Sequence, residues 1–390
     1  MSNDRHGPLS DIVIVDLTRV LAGPFCTMLL SDLGARVIKV ETPDGGDDTR
    51  NYGPFLPDGR SGYFIAQNRG KESIALDLKK EGDALILHRL LKRADVLAEN
   101  FRPGAMARLG FGWDQLHERY PKLIYAATSG FGQTGPYAQR PAYDIIAQAM
   151  GGVMSVTGHE GGPTTRVGSS IGDIGAGLFT AIGILSALHH RSLTGQGMMI
   201  DVAMLDCQIA MLENSLMRYF VSGAPPKPIG ARHPSIAPFE PYRTADGELV
   251  IACGNDLLFR QFCDALTRLD IVADPRFCEN ARRSEHVLAL KETLEAILTK
   301  QPTAHWLELL HAANIPCAPI NNVEQAACDP QVLSRNMILP LNSPMGDDPA
   351  LAHLRVAGLP IKMSAYADAE SRANAPDLDA DRDRILADFP

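Results

Sequence analysis

Short runs of consecutive apolar residues alternate with stretches of helical spacing through the first third of the chain. Residues 12–17 (IVIVDL) predict a strand buried on both faces, the following GPFCTMLLSDLGA predicts a helix, and residues 36–41 (RVIKVE) predict a second strand. A strand, a helix and a strand within about 30 residues form a βαβ unit, which implies a parallel sheet with a right-handed crossover. Further strands are predicted at SIALDL, DVLAEN and LIYAATS. The first part of the chain is therefore predicted to be α/β.

The longest apolar segment, Val167–Leu188, holds one charged residue, Asp173. After Asp173 the residues IGAGLFTAIGILSAL are apolar or small on every side, which predicts a helix buried in a large core. Gly175, Gly177 and Gly183 lie within this helix, and each costs about 1 kcal/mol relative to alanine, which indicates a close backbone approach. Asp173 is predicted just before the first turn. It is either an ordinary N-cap or a carboxylate kept dry, with glycines that leave space for a ligand.

A proline-rich segment divides the chain after a long helix predicted over residues 200–220. Beyond it, Asp246–Gly247 predicts the turn of a hairpin, and helical periodicity follows. We predict an α/β fold with a Rossmann-like large domain containing a parallel sheet, and a smaller α+β domain. The boundaries are residues 1–221 for the first part of the large domain, 222–239 for a linker, 240–328 for the small domain, and 329–390 for a second linker and a C-terminal return to the large domain.

Composition excludes several classes of partner. The 390 residues carry a formal net charge of −9, which argues against nucleic acid or a membrane surface as a partner. Seven scattered cysteines without a CxxC pair support neither disulfides nor a zinc site, and no metal is expected. The N-terminus lacks an apolar signal core, and the longest apolar run is shorter than the roughly 20 residues of a membrane span. We therefore expect a cytoplasmic protein.

Loops at predicted strand ends carry the candidate chemistry, because ligands of open α/β sheets bind there. The first such loop reads LTRVLAGP rather than GxGxxG, so a dinucleotide is not expected. Asn100, Phe101 and Arg102 follow one strand, and a loop ending at Tyr143 and Asp144 follows the next. A basic group is either a solvated face or a phosphate site; its members are Arg69, Lys71, Lys79 and Lys80.

Several segments, in order and at similar spacing, resemble the class III CoA-transferase family, which includes formyl-CoA transferase and the CaiB/BaiF proteins. The matching segments are VxDLTRVLAGPFCTMLLSDLGARVIKVE, ADVLAENFRPGAMARLGF, SGFGQTGPYAQRPAYDIIAQAMGG, SSIGDIGAGLFTAIGILSAL and GQGMMIDVAMLD. They span most of the first 210 residues. The resemblance implies a homodimer of two interlocked, ring-shaped subunits.

The resemblance also implies a reaction and a set of site residues. Asp173 is the expected catalytic nucleophile, and coenzyme A is expected as the substrate acyl-CoA. CoA would move from an acyl-CoA, succinyl-CoA being one candidate, to a carboxylic or dicarboxylic acid through an aspartyl-CoA thioester. Backbone N–H groups at the start of the glycine-rich helix are candidate oxyanion donors. The expected CoA-binding residues are Ala22, Leu76, Lys79, Asn100, Phe101, Arg102, Arg108 and Tyr143.

Two alternatives come from other branches or classes. Leu21 replaces the glutamine of formyl-CoA transferase, and its glycine-rich small-domain loop has no counterpart, which argues against formyl-CoA/oxalate specificity. The α-methylacyl-CoA racemase branch uses a histidine where this chain has Tyr143, and a tyrosine is a poor base at neutral pH. A CoA-binding regulatory protein is the non-enzyme alternative, and the retained Asp173 argues against it.

Overall fold

The computed structural model describes residues 6–342 and 351–390. The chain forms two compact units. The first contains the residues up to Met154, residues 166–225 and residues 330–390. The second contains residues 155–165 and 226–329.

The first unit is built on a six-stranded parallel sheet, which confirms the predicted α/β class and parallel sheet. Its strands are β1 (Val13–Asp16), β2 (Arg36–Glu41), β3 (Glu72–Ala75), β4 (Val96–Glu99), β5 (Ile124–Ser129) and β6 (Met199–Ala203). The order across the sheet is β3-β2-β1-β4-β5-β6. The order of the strands reverses between β1 and β4. These two strands pair directly, with Val15 opposite Leu97. Such a switch point opens a crevice at the carboxyl ends of the strands.

Helices cover both faces of the sheet's hydrophobic core, whose fully buried residues include Ile14, Ile38 and Ile124. The helices of the first unit are α1 (Ala22–Asp32), α2 (Gly62–Asn68), α3 (Glu81–Leu91), α4 (Ala105–Arg108), α5 (Trp113–Arg119), α6 (Asp144–Met150), α8 (Ile171–Thr194), α9 (Met204–Met211), α10 (Asn214–Ser222), α17 (Pro330–Ser334) and α18 (Arg382–Asp388). The division between the units falls within the short helix α7 (Val153–Val156). Three short strands pair in a small separate sheet; they are β10 (Ile338–Asn342), β11 (Arg355–Ala357) and β12 (Arg372–Ala373).

Helix α8 is longer and less buried than the sequence predicts. It has 24 residues and ends at Thr194, and the following Gly195 has a φ of 75°, the left-handed conformation common after a helix. Its apolar residues Leu178, Ile182 and Leu185 are exposed in the single chain, so the expectation of burial on every side is wrong. By length and composition α8 could cross a membrane, although a core helix passes the same test.

The glycines of α8 make room for neighbouring helices and strands rather than for a ligand. A Cβ on Gly177 would lie 2.7 Å from the carbonyl oxygen of Ala22 at the start of α1. One on Gly175 would meet the side chain of Met211, and one on Gly183 would meet Ile200. The predicted close backbone approach is therefore confirmed at Gly177, and the proposed ligand space is not.

The helix predicted over residues 200–220 is wrong at its beginning. Residues 199–203 form β6, which pairs in parallel with β5 from Tyr125 to Ser129. Their apolar spacing fits either element, and pairing with the exposed edge of β5 decides for the strand. The helical part is interrupted at Glu213, which has a φ of 42° between α9 and α10.

The second unit has its own core, which includes Tyr242, Phe259 and Trp306. Its strands β7 (Phe239–Arg243) and β8 (Glu248–Ala252) form the predicted hairpin, and β9 (Cys317–Pro319) pairs with β8. Its helices are α11 (Asp256–Ala265), α12 (Leu269–Ala273), α13 (Asn280–Glu285), α14 (Val287–Leu298), α15 (Thr303–Ala312) and α16 (Val323–Ala327).

Residues 155–165, placed in the large domain from sequence, belong to the second unit. The Gly230 N–H donates to the carbonyl of Gly158, and Arg232 pairs with Glu160 at 3.3 Å. These contacts join residues that are 72 positions apart in the chain, and no local sequence pattern predicts them.

Candidate active site

Two neighbouring cavities open at the carboxyl ends of the parallel strands. The first, of about 470 Å³, lies past β1, β2 and β3, and its lining includes Leu76, Lys79 and Lys80. The second, of about 320 Å³, lies past β1, β4 and β5, and its lining includes Asp173. Arg19 and Phe101 line both cavities. The switch point of the sheet therefore offers room for a long ligand that extends from one cavity to the other.

Asp173 lies in the first turn of α8, as the third residue of the helix. It is partly buried, and its carboxylate makes no hydrogen bond or ion pair with any residue that the structure describes. Burial and the negative charge of Asp144 raise its pKa to about 7. An unpartnered carboxylate with a raised pKa in a cavity is the kind of group that functional sites contain.

The N-cap interpretation of Asp173 is wrong. The helix begins at Ile171, so the cap position is Ser170, whose side chain makes no capping hydrogen bond. The carboxylate of Asp144 takes that place from another helix, since its Oδ1 accepts a hydrogen bond of 2.8 Å from the Gly172 N–H. Asp144, and not Asp173, therefore accepts the hydrogen bond that caps the start of α8.

Asp144 is the residue whose role the sequence analysis missed. Its second oxygen, Oδ2, accepts a hydrogen bond of 2.8 Å from Gln148 Nε2, and Gln148 Oε1 in turn accepts one from the Val167 N–H. This network anchors the beginning of α8 and places a buried negative charge near Asp173. It also occupies the Gly172 N–H, so that amide is not a free oxyanion donor. The signal was Asp144 itself, at the first position of a helix next to Tyr143.

Tyr63 was not singled out from sequence either. Its phenol lies partly buried on α2, and burial together with the charge of Asp173 raises its pKa to about 12. Its ring meets Tyr52 edge to face, with centroids 6.1 Å apart. The Tyr63 phenol therefore stays neutral at ordinary pH.

Seven of the eight expected CoA-binding residues line the two cavities. Leu76 and Lys79 line the first, and Phe101 lines both. Those lining the second are Ala22, Asn100, Arg102 and Tyr143. Arg108 lines neither cavity and lies exposed at the end of α4. The binding roles of all eight stay predictions.

Asn100 uses its side chain to hold a loop. Its Oδ1 accepts a hydrogen bond of 2.8 Å from the Arg19 N–H, and its Nδ2 donates one of 2.7 Å to the Arg19 carbonyl. Both polar ends of the amide are thus committed to the backbone between β1 and α1.

The basic group splits into two pairs with different surroundings. Arg69 is buried and pairs with Asp32 at 2.7 Å, and Lys71 is buried and pairs with Asp16 at 3.0 Å. Neither is available to a phosphate. Lys79 is exposed at the rim of the first cavity, as is its neighbour Lys80.

Among residues 6–342 and 351–390, no three His, Cys, Asp or Glu side chains come together as a metal site would require.

Comparison with known proteins gives a consistent picture. The model of "CoA-transferase family III" matches residues 9–382. The acetyl-CoA:oxalate CoA-transferase of Acetobacter aceti is 48% identical, covering 98% of this chain and 96% of that protein. The succinate–glutarate CoA-transferase of Agrobacterium fabrum is 41% identical, covering 88% of this chain and 87% of that protein. A crystal structure of a CAIB/BAIF family protein from Brucella suis superposes with a TM-score of 0.85 at 38% identity, covering 98% of this chain and 100% of that one.

Proposed function

The chain belongs to CoA-transferase family III and moves CoA between an acyl-CoA and a carboxylic acid, and we propose that it does so through a covalent aspartyl-CoA thioester on Asp173. The observation that carries the proposal is the position of this carboxylate. The carboxylate is partly buried in the second cavity, which adjoins the first cavity with Lys79 at its rim. Among the described residues, no side chain or backbone group makes a hydrogen bond or ion pair with it.

The proposed reaction begins with attack of the Asp173 carboxylate on the thioester carbonyl of the donor. A C–O bond forms, the C–S bond breaks, and the products are a mixed anhydride and the CoA thiolate. The thiolate then attacks the aspartyl carbonyl, which gives aspartyl-CoA and releases the donor acid as a carboxylate. The acceptor carboxylate repeats the two steps in reverse and leaves with CoA. Each step is balanced without a proton, a metal or an electron transfer.

Surroundings of Asp173 favour this chemistry in two ways. Partial desolvation strengthens the nucleophile and limits access of water, which would hydrolyse both the anhydride and the thioester. Asp144 keeps the start of α8 fixed through the Gly172 N–H, so the nucleophile needs no rearrangement before it reacts.

CoA is proposed to lie across the two cavities. The adenosine and phosphate end would lie in the first, near Leu76 and Lys79, where Lys80 adds a further positive charge. The pantetheine arm would pass Phe101 and Ala22 toward Asp173. Arg102, Arg108, Asn100 and Tyr143 complete the proposed contact set, with Asn100 acting through the Arg19 backbone.

The raised pKa of Asp173 predicts a pH dependence. Only the ionised carboxylate is nucleophilic, so kcat/KM for the acyl-CoA should rise about tenfold per pH unit below pH 7 and level off above about pH 8. Asp144→Asn retains an oxygen for the Gly172 N–H and removes a neighbouring negative charge. The midpoint should therefore move to lower pH in that variant. A flat profile between about pH 5.5 and 8 in the wild-type enzyme would contradict the assignment.

The donor and acceptor acids are proposed from the relatives. The names of two relatives, the acetyl-CoA:oxalate and the succinate–glutarate CoA-transferases, contain oxalate and glutarate, which are both dicarboxylic acids. We favour a dicarboxylic acceptor, and Arg102 and Arg140 on the second cavity would neutralise its charge. Oxalate is included among the proposed acceptors because the acetyl-CoA:oxalate CoA-transferase is 48% identical to this chain. The sequence analysis had used Leu21 as an argument against formyl-CoA/oxalate specificity.

One experiment with two parallel samples distinguishes CoA transfer from racemisation. Purified protein is mixed with succinyl-CoA or acetyl-CoA and a panel of oxalate, glutarate, mesaconate and acetate, and new thioesters are identified by mass spectrometry. A parallel sample of 2-methylacyl-CoA in deuterium oxide reports α-proton exchange. New thioesters that depend on both donor and acceptor support the proposal. Deuterium exchange without use of an acceptor would support a racemase.

A homodimer is part of the proposal. The apolar side chains of the first unit that a single chain leaves exposed include Leu178, Phe179 and Ile182 of α8 and Met217, Phe220 and Val221 of α10. A second copy of this chain would cover them, because monomeric proteins rarely expose large contiguous apolar surfaces. Sedimentation equilibrium at micromolar concentration should give twice the monomer mass of 42.2 kDa. A monomer would contradict this part. A cytoplasmic location also stays a proposal.

A further inference from the structure

The loop between β1 and α1 contains a valine in an unfavourable backbone conformation. Val20 has a φ of 68°, a left-handed value that is a genuine outlier for a β-branched residue. It is half-buried and lies on the second cavity together with Leu21, Ala22 and Asp173. Such a conformation persists only where its surroundings hold it, and it is found often at functional sites.

A buried ion pair holds this loop on both sides of Arg19. Lys39 Nζ lies 2.9 Å from Asp47 Oδ2, and the two side chains are 1% and 0% exposed. Lys39 Nζ also donates a hydrogen bond of 2.8 Å to the carbonyl of Thr18. Asp47 Oδ1 accepts one of 3.2 Å from the Val20 N–H. The pair thus fixes the residues before and after Arg19.

The same pair lies between the two cavities. Lys39 and Asp47 line the first cavity, whereas the loop that they hold lines the second. Arg19, at the middle of the loop, is fixed through its backbone by Asn100 and pairs with Asp48 at 2.6 Å. The side chains of Lys39, Asp47 and Asn100, which come from three different segments, therefore fix the backbone of residues 18–20.

We propose that Lys39 and Asp47 are positioning residues that hold Val20 in its left-handed conformation, and so direct residues 19–22 along the cavity of Asp173. The left-handed turn at Val20 lets the chain leave β1 and start α1 at Ala22, whose carbonyl packs against Gly177 of α8. Without the pair, the loop relaxes to an ordinary conformation and its lining of the cavity moves. The inference rests on the proposed function, because CoA transfer is its readout.

Substitution of Val20 by glycine makes the inference testable. Glycine adopts positive φ values without a steric cost, so it removes the need for the restraint. Asp47→Ala should lower kcat/KM for CoA transfer by at least about tenfold. In the Val20→Gly background, Asp47→Ala should change kcat/KM by less than about threefold, with Val20→Gly alone as the reference. Thermal unfolding of each variant, followed by circular dichroism, establishes that it is folded at the assay temperature.

A matched control separates positioning from general stability. Asn336 also has a positive φ, of 50°, and it lies outside both cavities. Asn336→Gly should not restore activity to Asp47→Ala. If Val20→Gly also fails to restore it, the ion pair is merely structural and the inference is wrong.

Two provisions keep the test decisive. Should Asp47→Ala not fold, Thr49→Val replaces it, because the Thr49 hydroxyl donates a hydrogen bond of 2.8 Å to the same Asp47 Oδ1 that holds Val20. That variant should lose about tenfold in kcat/KM, and the loss should fall below about threefold in the Val20→Gly background. A wild-type protein without CoA transfer would count against the proposed function. Amide hydrogen exchange of residues 17–25 then reports on the loop, faster in the Asp47 variant and slowed again in the double variant; equal rates would overturn the inference.

Discussion

Asp173→Ala abolishes CoA transfer, with a loss in kcat of at least about 10⁴-fold, while CoA still binds. The expected size follows from removal of a nucleophile, because no other group can carry the acyl chain and then the thiol. Binding survives because the proposed CoA contacts are made by other residues, and because Asp173 makes no hydrogen bond or ion pair to the described parts of the chain. Steady-state kinetics and isothermal titration with CoA measure the two effects.

Asp114→Ala is the matched control for that substitution. Asp114 is also an aspartate in the first turn of a helix, α5, but it is exposed and lies on neither cavity. Its replacement should leave kcat within about twofold of wild type. An Asp173→Ala enzyme that retained a tenth of wild-type transfer would rule out Asp173 as the nucleophile.

Lys71→Met should destabilise the first unit by about 3–5 kcal/mol, because it leaves the carboxylate of Asp16 buried without its ion-pair partner. Both side chains are fully buried, and Lys71 Nζ also donates hydrogen bonds to Asn68 Oδ1 and the Pro24 carbonyl. Urea unfolding followed by tryptophan fluorescence measures the loss when every variant also carries Trp306→Phe, since Trp113, which packs against the core of the first unit, is then the reporter.

Two comparisons show whether the loss comes from the unpaired charge. Asp16→Asn combined with Lys71→Met should recover more than half of the lost stability, because both charges are then gone. Lys80→Ala, which breaks an exposed pair with Asp77 at 3.9 Å, should cost less than about 1 kcal/mol. A double variant no more stable than Lys71→Met would show that lost packing, and not the charge, is responsible.

The same pair gives the wild-type protein an acid-sensitive element. Burial alone would raise the pKa of Asp16, but the charges of Lys71 and Lys39 and two hydroxyl donors lower it to about 2. The folded state thus holds the ionised form more strongly than the unfolded chain, where an aspartate titrates near 3.9. Its contribution to stability is fully present above about pH 4 and is lost as the pH falls toward 2.

Much of the sheet could be predicted from sequence because buried parallel strands are written as continuous apolar runs. The runs at β1, β2, β4 and β5 are short, apolar and separated by helical spacing, so their type and order were clear. The same information fixed the strand ends, and with them the loops that carry Asn100 and Tyr143. The position of Asp173 near those loops then required only that the strands be parallel.

What the sequence could not provide depends on contacts between distant segments. Residues 199–203 have an apolar pattern that suits a helix or a strand, and only the free edge of β5 made them a strand. The role of Asp144 depends on the Gly172 N–H, 28 residues later in the chain. Arg69 and Lys71 looked like a phosphate site because their partners, Asp32 and Asp16, precede them by 37 and 55 residues.

Exposure of one face of α8 is a different kind of failure. An apolar pattern on every side of a helix predicts that the helix is buried, but the burial can occur in the assembled protein and not in the single chain. A single chain leaves Leu178 and Ile182 exposed, so the pattern points to a surface that a partner covers. The proposed homodimer accounts for this difference.

Mass spectrometry of the enzyme during turnover tests the central claim most directly. The protein is incubated with an acyl-CoA, quenched in acid and digested, and the tryptic peptide of residues 167–191 is examined for a covalent adduct. The account predicts that this peptide gains one CoA less one water at Asp173, with acyl-CoA but not with free CoA, and that the adduct disappears when acceptor is added. Transfer that proceeds at the wild-type rate while no adduct forms on this peptide would contradict it.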